Sequence, residues 1–287
     1  MALSKSQEGF APIFIAIFAA VIIAAGAGGY LVFNSLNQPV RIKEKSTVIQ
    51  PLFQDLKRSI EDVAEHIDES PSGSDSDSHE RYAQKGSSLI KTGNDNLDKL
   101  RAQITKLDLP EVQDYKKNLS DYIAKSEELI KYEKDNVKLG QDYDAPRRDY
   151  EQLTKDISGV SSYMYSDPAR YVKEVGEAIS KEDKVIKAFE GLSEEGLFKK
   201  YHEVFIKTLK TERDFLAEVS EAVNNRDDNA LKQAIKGYDQ ASKDEARELS
   251  RISDEAKEKY KGVISELKSL ADRVDQSYNV LKDKFKF

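Results

Sequence analysis

The chain has no cysteine and no tryptophan, and only 2 methionines, 3 histidines and 7 prolines among its 287 residues. Without cysteine there can be no disulfide, thiolate zinc site or cysteine nucleophile, and no acylated cysteine to hold the chain to a membrane. Equally absent are a Gly-rich phosphate loop, a G-x-S-x-G elbow and an H-E-x-x-H pair, so the common signatures of nucleotide binding and hydrolysis are missing. The net charge of −7 comes from mixed-sign runs, which argues against nucleic acid as a partner, because that needs a concentrated basic surface. What the chain does have is charge: 45 Lys+Arg and 52 Asp+Glu, 34% of all residues, beside 39% hydrophobic ones. That balance is too apolar for a disordered tail and too polar for a polytopic membrane protein.

The charge is unevenly spread. Residues 9–40 carry none, and only Lys5 and Glu8 precede them. The 24 uncharged residues from Phe10 to Phe33 reach about 36 Å as a helix, enough for a hydrocarbon core of about 30 Å. Pro12 falls near the start of this segment and Gly26, Gly28 and Gly29 near its end. A cleaved signal peptide is the rival reading, with Lys5 before the apolar run and Ala25 and Ala27 as an A-x-A site. The apolar run continues past that point through Tyr30, Leu31, Val32 and Phe33, and an uncleaved anchor is therefore expected. Glu8-Gly9-Phe10 ahead of a long apolar helix resembles the processing region of type IV prepilins, a resemblance covering residues 8–33. It implies a cut between Gly9 and Phe10. Phe14 stands where that family carries an assembly glutamate, and no pilin sheet follows, so the resemblance implies a prepilin-like anchor, not a pilin. The Lys/Arg count of the flanks, with Arg41, Lys43 and Lys45 on the far side, mildly favours a cytoplasmic domain. The short leader and the signal-like segment favour export, and export is the expectation.

Residues 46–287 read as helix almost throughout. Ile49, Leu52, Phe53, Leu56, Ile60, Val63 and Ile67 recur at three and four residues, the spacing of one helix face. A helix end is predicted near Ser70, where SPSGSDSDS has no apolar residue. A second helix, about 80–107, turns Tyr82, Leu89, Ile90, Leu97, Leu100, Ile104 and Leu107 inward. A third, about 111–139, presents Tyr115, Leu119, Tyr122, Ile123, Leu129, Ile130 and Val137, with Gly140 as its stop. Every proline beyond residue 40 is predicted at a helix start or in a loop, Pro146 and Pro168 included, with Asp167 capping the helix that Pro168 opens. The last stretch, about 228–285, carries a seam at Tyr260, Ile264, Leu267, Leu270 or Ala271, Val274, Tyr278, Leu281 and Phe285, the spacing of bundle or coiled-coil packing. It reads as one long helix or as two with a break near Gly262.

An internal repeat is also legible. An offset of 86 carries Tyr115, Leu119, Ile123, Leu129, Ile130 and Val137 onto Tyr201, Phe205, Leu209, Phe215, Leu216 and Val223. Upstream the offset is 89 and carries Arg81-Tyr82 onto Arg170-Tyr171. Any two amphipathic helices give partial agreement, but the shared Arg-Tyr and Tyr positions favour duplication, with repeats at 81–160 and 170–255.

Candidate sites are few. Asp75, Asp77, His79 and Glu80 crowd together, but Glu80 stands where a calcium loop needs its glycine, and a solvated linker explains the run better. His66, His79 and His202 show no ligand-pair spacing, and His66 and His202 are predicted at helix surfaces or boundaries. Glu127, Glu128 and Glu133, like Glu194, Glu195 and Glu203, suit acid–base work only as any charged helix face does. The fourteen tyrosines allow an aromatic groove for a peptide or glycan. Tyr82, Tyr115, Tyr122, Tyr171, Tyr201, Tyr260 and Tyr278 fall on apolar faces, where core packing with the hydroxyl at the rim is the expected role.

The sequence thus predicts an all-α protein: leader 1–9, membrane helix or signal anchor 10–33, linker 34–45, and an elongated antiparallel bundle of six or seven helices over 46–287. No catalytic, cofactor-binding or metal residue is assigned, and no enzyme activity or cofactor is expected. The expected function is that of a single-pass envelope scaffold or protein-interaction module, touching lipid through 10–33 and an unidentified protein through its bundle, with no nucleic acid. The alternative is a sensory or small-ligand-binding helical ectodomain.

Overall fold

The computed structural model describes residues 11–69, 76–192 and 196–287, with side chains described for 39–69, 78–192 and 198–287. The described residues contain six α-helices and no strand: α1 Ala11–Asp68, α2 Ser76–Ile104, α3 Gln113–Val160, α4 Pro168–Glu190, α5 Gly196–Asn225 and α6 Asp228–Phe285. Short 3-10 turns at Pro110–Val112 and Ser161–Tyr163 lie on either side of α3. Each helix forms for the reason its spacing gives: an apolar stripe that gains stability only when another helix covers it.

Those stripes close into two four-helix bundles placed end to end. The first combines α1, α2, the N-terminal part of α3 and the C-terminal part of α6 around Phe53, Leu56, Leu100, Leu119, Leu129 and Val274. Burying side chains such as Phe53 and Leu56, both 0% exposed, contributes about 1.5–3 kcal/mol each. The second combines the remainder of α3 and α6 with α4 and α5, and its core falls into two clusters, one around Tyr171, Val175 and Val219 and one around Phe189 and Leu209. Helices α3 and α6 therefore belong to both bundles and run antiparallel from one to the other. Asn118 donates to the Arg273 carbonyl at 3.3 Å, Lys125 pairs with Glu266 at 2.6 Å, the Tyr132 and Tyr260 rings stack at 5.8 Å, and Val160 shares a cluster with Leu231. Neighbouring helices in each bundle alternate in direction, as Lys85–Glu69, Lys181–Asp156 and Lys210–Glu190 record, each at 2.6–2.7 Å.

The inward seams of α1, α2, α3 and α6 match the sequence reading, and α6 passes Gly262 unbroken. The Asp167 carboxylate accepts from the Arg170 N–H at 3.1 Å, and Pro168 is the first residue of α4. Between α5 and α6 the chain turns in two residues. Arg226 takes φ 53°, the Asp227 N–H reaches back to the Ala222 carbonyl at 2.9 Å, and the Asp227 carboxylate caps α6 through Asn229 and Ala230. One pair of residues thus closes one helix and opens the next.

Three expectations need correction. Gly140 does not stop α3, which runs on to Val160 with Pro146 buried inside it, and Pro51 likewise sits inside α1. Flanking turns packed in a bundle offset the one backbone hydrogen bond that each proline removes. The stretch 34–45, read as a linker, is traversed by α1, and Ile42 is 1% exposed in the first core. His66 does lie at a helix boundary, in the last turn of α1, but neither it nor His202 is on the surface, at 1% and 7% exposed. The side chains of 10–33, the processing site Glu8-Gly9-Phe10 and Pro71 lie outside the described residues. Among the described residues, no helix is long and apolar enough to cross a membrane.

Candidate functional site

Polar side chains at inward positions mark where the cores depart from pure packing. His66 stands one turn after Val63 on the inner face of α1, and Glu133 lies between Ile130 and Val137 on the inner face of α3. Their side chains are 1% and 0% exposed, and His66 Nδ1 lies 2.7 Å from Glu133 Oε1. The other ring nitrogen, Nε2, is 3.0 Å from the Tyr82 carbonyl, which can only accept, so Nε2 carries a hydrogen. One further proton is then held between Nδ1 and the carboxyl. Asn136 donates to Glu133 Oε2 at 3.2 Å and to the Tyr82 hydroxyl at 2.8 Å, and the Tyr82 ring stacks on His66 at 3.9 Å. Burial pushes the Glu133 carboxyl up, and the hydrogen bonds and the charge around it pull the other way, Asn136 first and then His66.

Beside this network, where the two bundles meet, lies a cavity of about 570 Å³. Helix α3 contributes Tyr132, Asn136, Leu139, Gly140, Tyr143 and Arg147; Tyr82 and His79 come from α2, and Ile67 and Asp68 from α1. From the second bundle come Phe189 of α4 and Phe198, Tyr201 and Phe205 of α5, while α6 crosses with the segment from Ile252 to Lys261, Tyr260 included. Eight aromatic rings thus face one space. It exists because the paired long helices carry small residues there: a Cβ added at Gly140 would meet nothing within 4 Å, and Ser253 and Ala256 stand on the α6 side. Tyr82 and Asn136 belong both to the cavity wall and to the His66–Glu133 network.

The wall carries Arg147, Lys257 and Lys261 beside Asp68, together with tyrosine hydroxyls and the Asn136 amide, which can both donate and accept. The Arg147 side chain is 17% exposed and stands 3.6 and 3.7 Å from Asp144 and Glu151, while its buried Nε and Nη2 make no hydrogen bond. Asp144 is engaged more closely by Arg148, at 2.9 Å. Burial raises the Tyr132 and Tyr201 hydroxyls above the ordinary tyrosine value and keeps them protonated. Tyr143 is hydrogen-bonded to His202 Nδ1, and burial lowers His202.

A third polar layer lies in the second bundle. Glu182 of α4 is 0% exposed with neither oxygen hydrogen-bonded, and Glu245 of α6 is 3% exposed with one oxygen bonded to Thr211 at 2.8 Å. Glu212 of α5 accepts from Tyr150 at 2.6 Å. Among the described residues no group of three or more His, Cys, Asp or Glu is placed to hold a metal ion.

The residues that the sequence singles out separate accordingly. Glu127 and Glu128 pair with Arg101 and Lys125 on the surface, and Glu203 pairs with Lys199 at 3.9 Å. Among the described members of that set, only Glu133 turns inward. His79 and Glu80 lie on α2, His79 in the cavity wall; Asp75 and the side chains of Asp77, Glu194 and Glu195 fall outside the described residues. Of the seven tyrosines predicted to pack, Tyr115, Tyr122, Tyr171 and Tyr260 are buried, while Tyr82, Tyr201 and Tyr260 also line the cavity. Sequence reasoning allows an aromatic groove but sets it below core packing, and it misses Glu182 and Glu245, although a glutamate at an inward helical position is the signal for each of those. No family model, no curated protein and no solved structure matches the chain.

Proposed function

We propose that the chain is a membrane-tethered helical binding protein, without catalytic activity, that takes a small molecule into the cavity between its two bundles. In this reading segment 10–33 lies in lipid and the helical domain stands outside the cytoplasm. The observation that carries it is the ring of eight aromatic side chains around a space of about 570 Å³, a size and lining typical of small-molecule sites.

The test uses the full chain in lipid nanodiscs with 2-naphthamide as a neutral aromatic probe, measured by equilibrium dialysis against empty discs. One probe per chain is expected, and Gly140→Leu, which places a side chain in the open space, should abolish binding without lowering the melting temperature. Binding no greater than to empty discs, or unchanged in Gly140→Leu, would overturn the reading.

A second reading, an envelope scaffold or protein-interaction module, is favoured by length. Helix α6 has 58 residues and a contour of about 87 Å, a reach that suits a spacer between the membrane and another protein.

A further inference from the structure

We infer that the end of the first bundle nearest segment 10–33 docks on anionic phospholipid headgroups, through a basic and aromatic patch that α1 and α6 build together. This rests on the placement of segment 10–33 in lipid proposed above and adds a second contact with the membrane, made by the folded domain.

The fold assembles this patch from two distant parts of the sequence. Helix α6 runs back along α1: Tyr260 donates to the Ala64 carbonyl at 2.9 Å, and Gln50 donates to Asp275 at 2.9 Å. That register sets Lys282 and Lys284 abreast of Lys43 and Arg41, on the side where α1 leaves the core toward residue 33. Lys286 takes φ 54° and the turn brings the Phe287 ring to 6.1 Å from Tyr278. Phe285 and Phe287 both pack against the core and stay half-buried. Residues 39–46 and 278–287 hold six basic side chains against two acidic ones, in a chain of net charge −7. Among the described residues, only Lys45 of those six is ion-paired, with Asp108, and Lys43, Lys282, Lys284 and Lys286 are exposed. The α2 and α3 side of the same end is balanced, Lys106, Lys116 and Lys117 facing Asp108, Glu111 and Asp114 in number, so the excess belongs to α1 and α6.

Two plainer explanations each cover half of this. Lysines in a last turn suit the dipole of α6, but Arg41 and Lys43 lie inside α1. A basic flank orients a membrane segment, but Lys282, Lys284 and Lys286 come from the other end of the sequence. Proximity to lipid accounts for both. Arg41 stands eight residues past Phe33, about 12 Å along a helix. With the hydrocarbon edge at Phe33, an interfacial layer of about 5–7 Å leaves about 5–7 Å to the headgroup surface, less than the Debye length of about 8 Å. Each basic residue close to an anionic surface strengthens attachment by up to about fivefold, and phenylalanines add apolar surface to the interface.

The experiment places the full chain in nanodiscs of phosphatidylcholine alone and of phosphatidylcholine mixed with phosphatidylglycerol, and follows the acetylation rate of each lysine by mass analysis. Headgroup contact predicts that Lys43, Lys282, Lys284 and Lys286 react at least about threefold more slowly in the anionic discs and that high salt removes the difference. Lys232 and Lys236, exposed in the second bundle, should react alike in both. Lys282→Gln, Lys284→Gln and Lys286→Gln combined, all at exposed positions, should leave the melting temperature unchanged and bring Lys43 close to one rate in both discs, whereas arginine at the same three positions should keep it slow. Equal rates in the two discs, or a slowing that salt does not reverse, would overturn headgroup docking and leave the lipid placement of 10–33 standing. Failure of the chain to enter the neutral discs would remove that placement; salt-sensitive attachment to the anionic discs alone would then still uphold the patch, and attachment to neither would remove both.

Discussion

Glu182 lies among the side chains of the second bundle with both carboxyl oxygens unpartnered. Its environment is on balance hostile to a negative charge. Burial acts first and Glu212 second to push its carboxyl up to about 8, with Asp183 and Asp214 adding to the effect and Arg213 opposing it. The unfolded chain releases the same proton near 4.5. Between those two values the native state holds a proton that the unfolded state has lost, so this group's contribution is intact below about 4.5 and declines as pH rises toward 8. Glu182→Leu removes both the unpartnered oxygens and the titration. It should stabilise the protein at pH 7 by on the order of 1–3 kcal/mol, with a larger gain at pH 8 than at pH 5, read from denaturant midpoints. A gain independent of pH would show that Glu182 is not the titrating group. His66 and Glu133 are the contrasting case. They too are charged types at inward positions, yet each has a partner, and what distinguishes the two situations is a tertiary pairing across 67 residues of chain that no local pattern displays.

Helix pairing depends on the same detail. Gly86 faces α3 at the level of the His66–Glu133 pair, where an added Cβ would lie 2.5 Å from Val137 Cγ2, 2.8 Å from His66 Cε1 and 2.9 Å from Glu133 Oε1. Gly86→Ala gains helix propensity and would stabilise an exposed helix. Here it should cost about 1–3 kcal/mol through overpacking, seen as a lower melting temperature, and a neutral or stabilising result would mean that α2 and α3 are not so close. Contact of this kind is illegible in the sequence, whereas the helices are legible almost to their ends. The seam from Tyr260 to Phe285 and the faces of α1 and α3 follow from spacing alone, since a residue three or four places along a helix must share its side. Gly140 and Pro146 mislead because local propensity is weak beside tertiary packing. The repeat offsets align α2 with α4 and the first part of α3 with α5, and those helices hold the second and third places in their respective bundles. The cavity cannot be read from the sequence, because it is made by what six helices leave unfilled at their meeting point and not by any one of them.

For the molecule as a whole, the consequential difference between sequence and structure is the stretch 34–45. A flexible linker there would let the bundle swing free of segment 10–33. Instead α1 passes through it, and Ile42 is already part of the first core, 1% exposed, only nine residues beyond Phe33. Ser46 is buried one turn later, its hydroxyl donating to the Ile42 carbonyl at 2.6 Å, and Lys45 pairs with Asp108 at 2.7 Å at the far end of the bundle's first hairpin. A protease needs several residues of extended backbone, and a packed helix supplies them only by opening locally. Trypsin should therefore leave the bonds after Arg41, Lys43 and Lys45 intact in the native protein, although three basic residues in five positions would be a preferred target in a linker. The check is limited proteolysis of the full chain in nanodiscs with mass analysis of the released fragments. Early release of a fragment starting at Ile42, Glu44 or Ser46 would restore the flexible linker. Resistance there, with the same sites cut once urea unfolds the bundle, would mean that the first bundle is fixed to the helix that carries segment 10–33 and holds the cavity at a set height along α1.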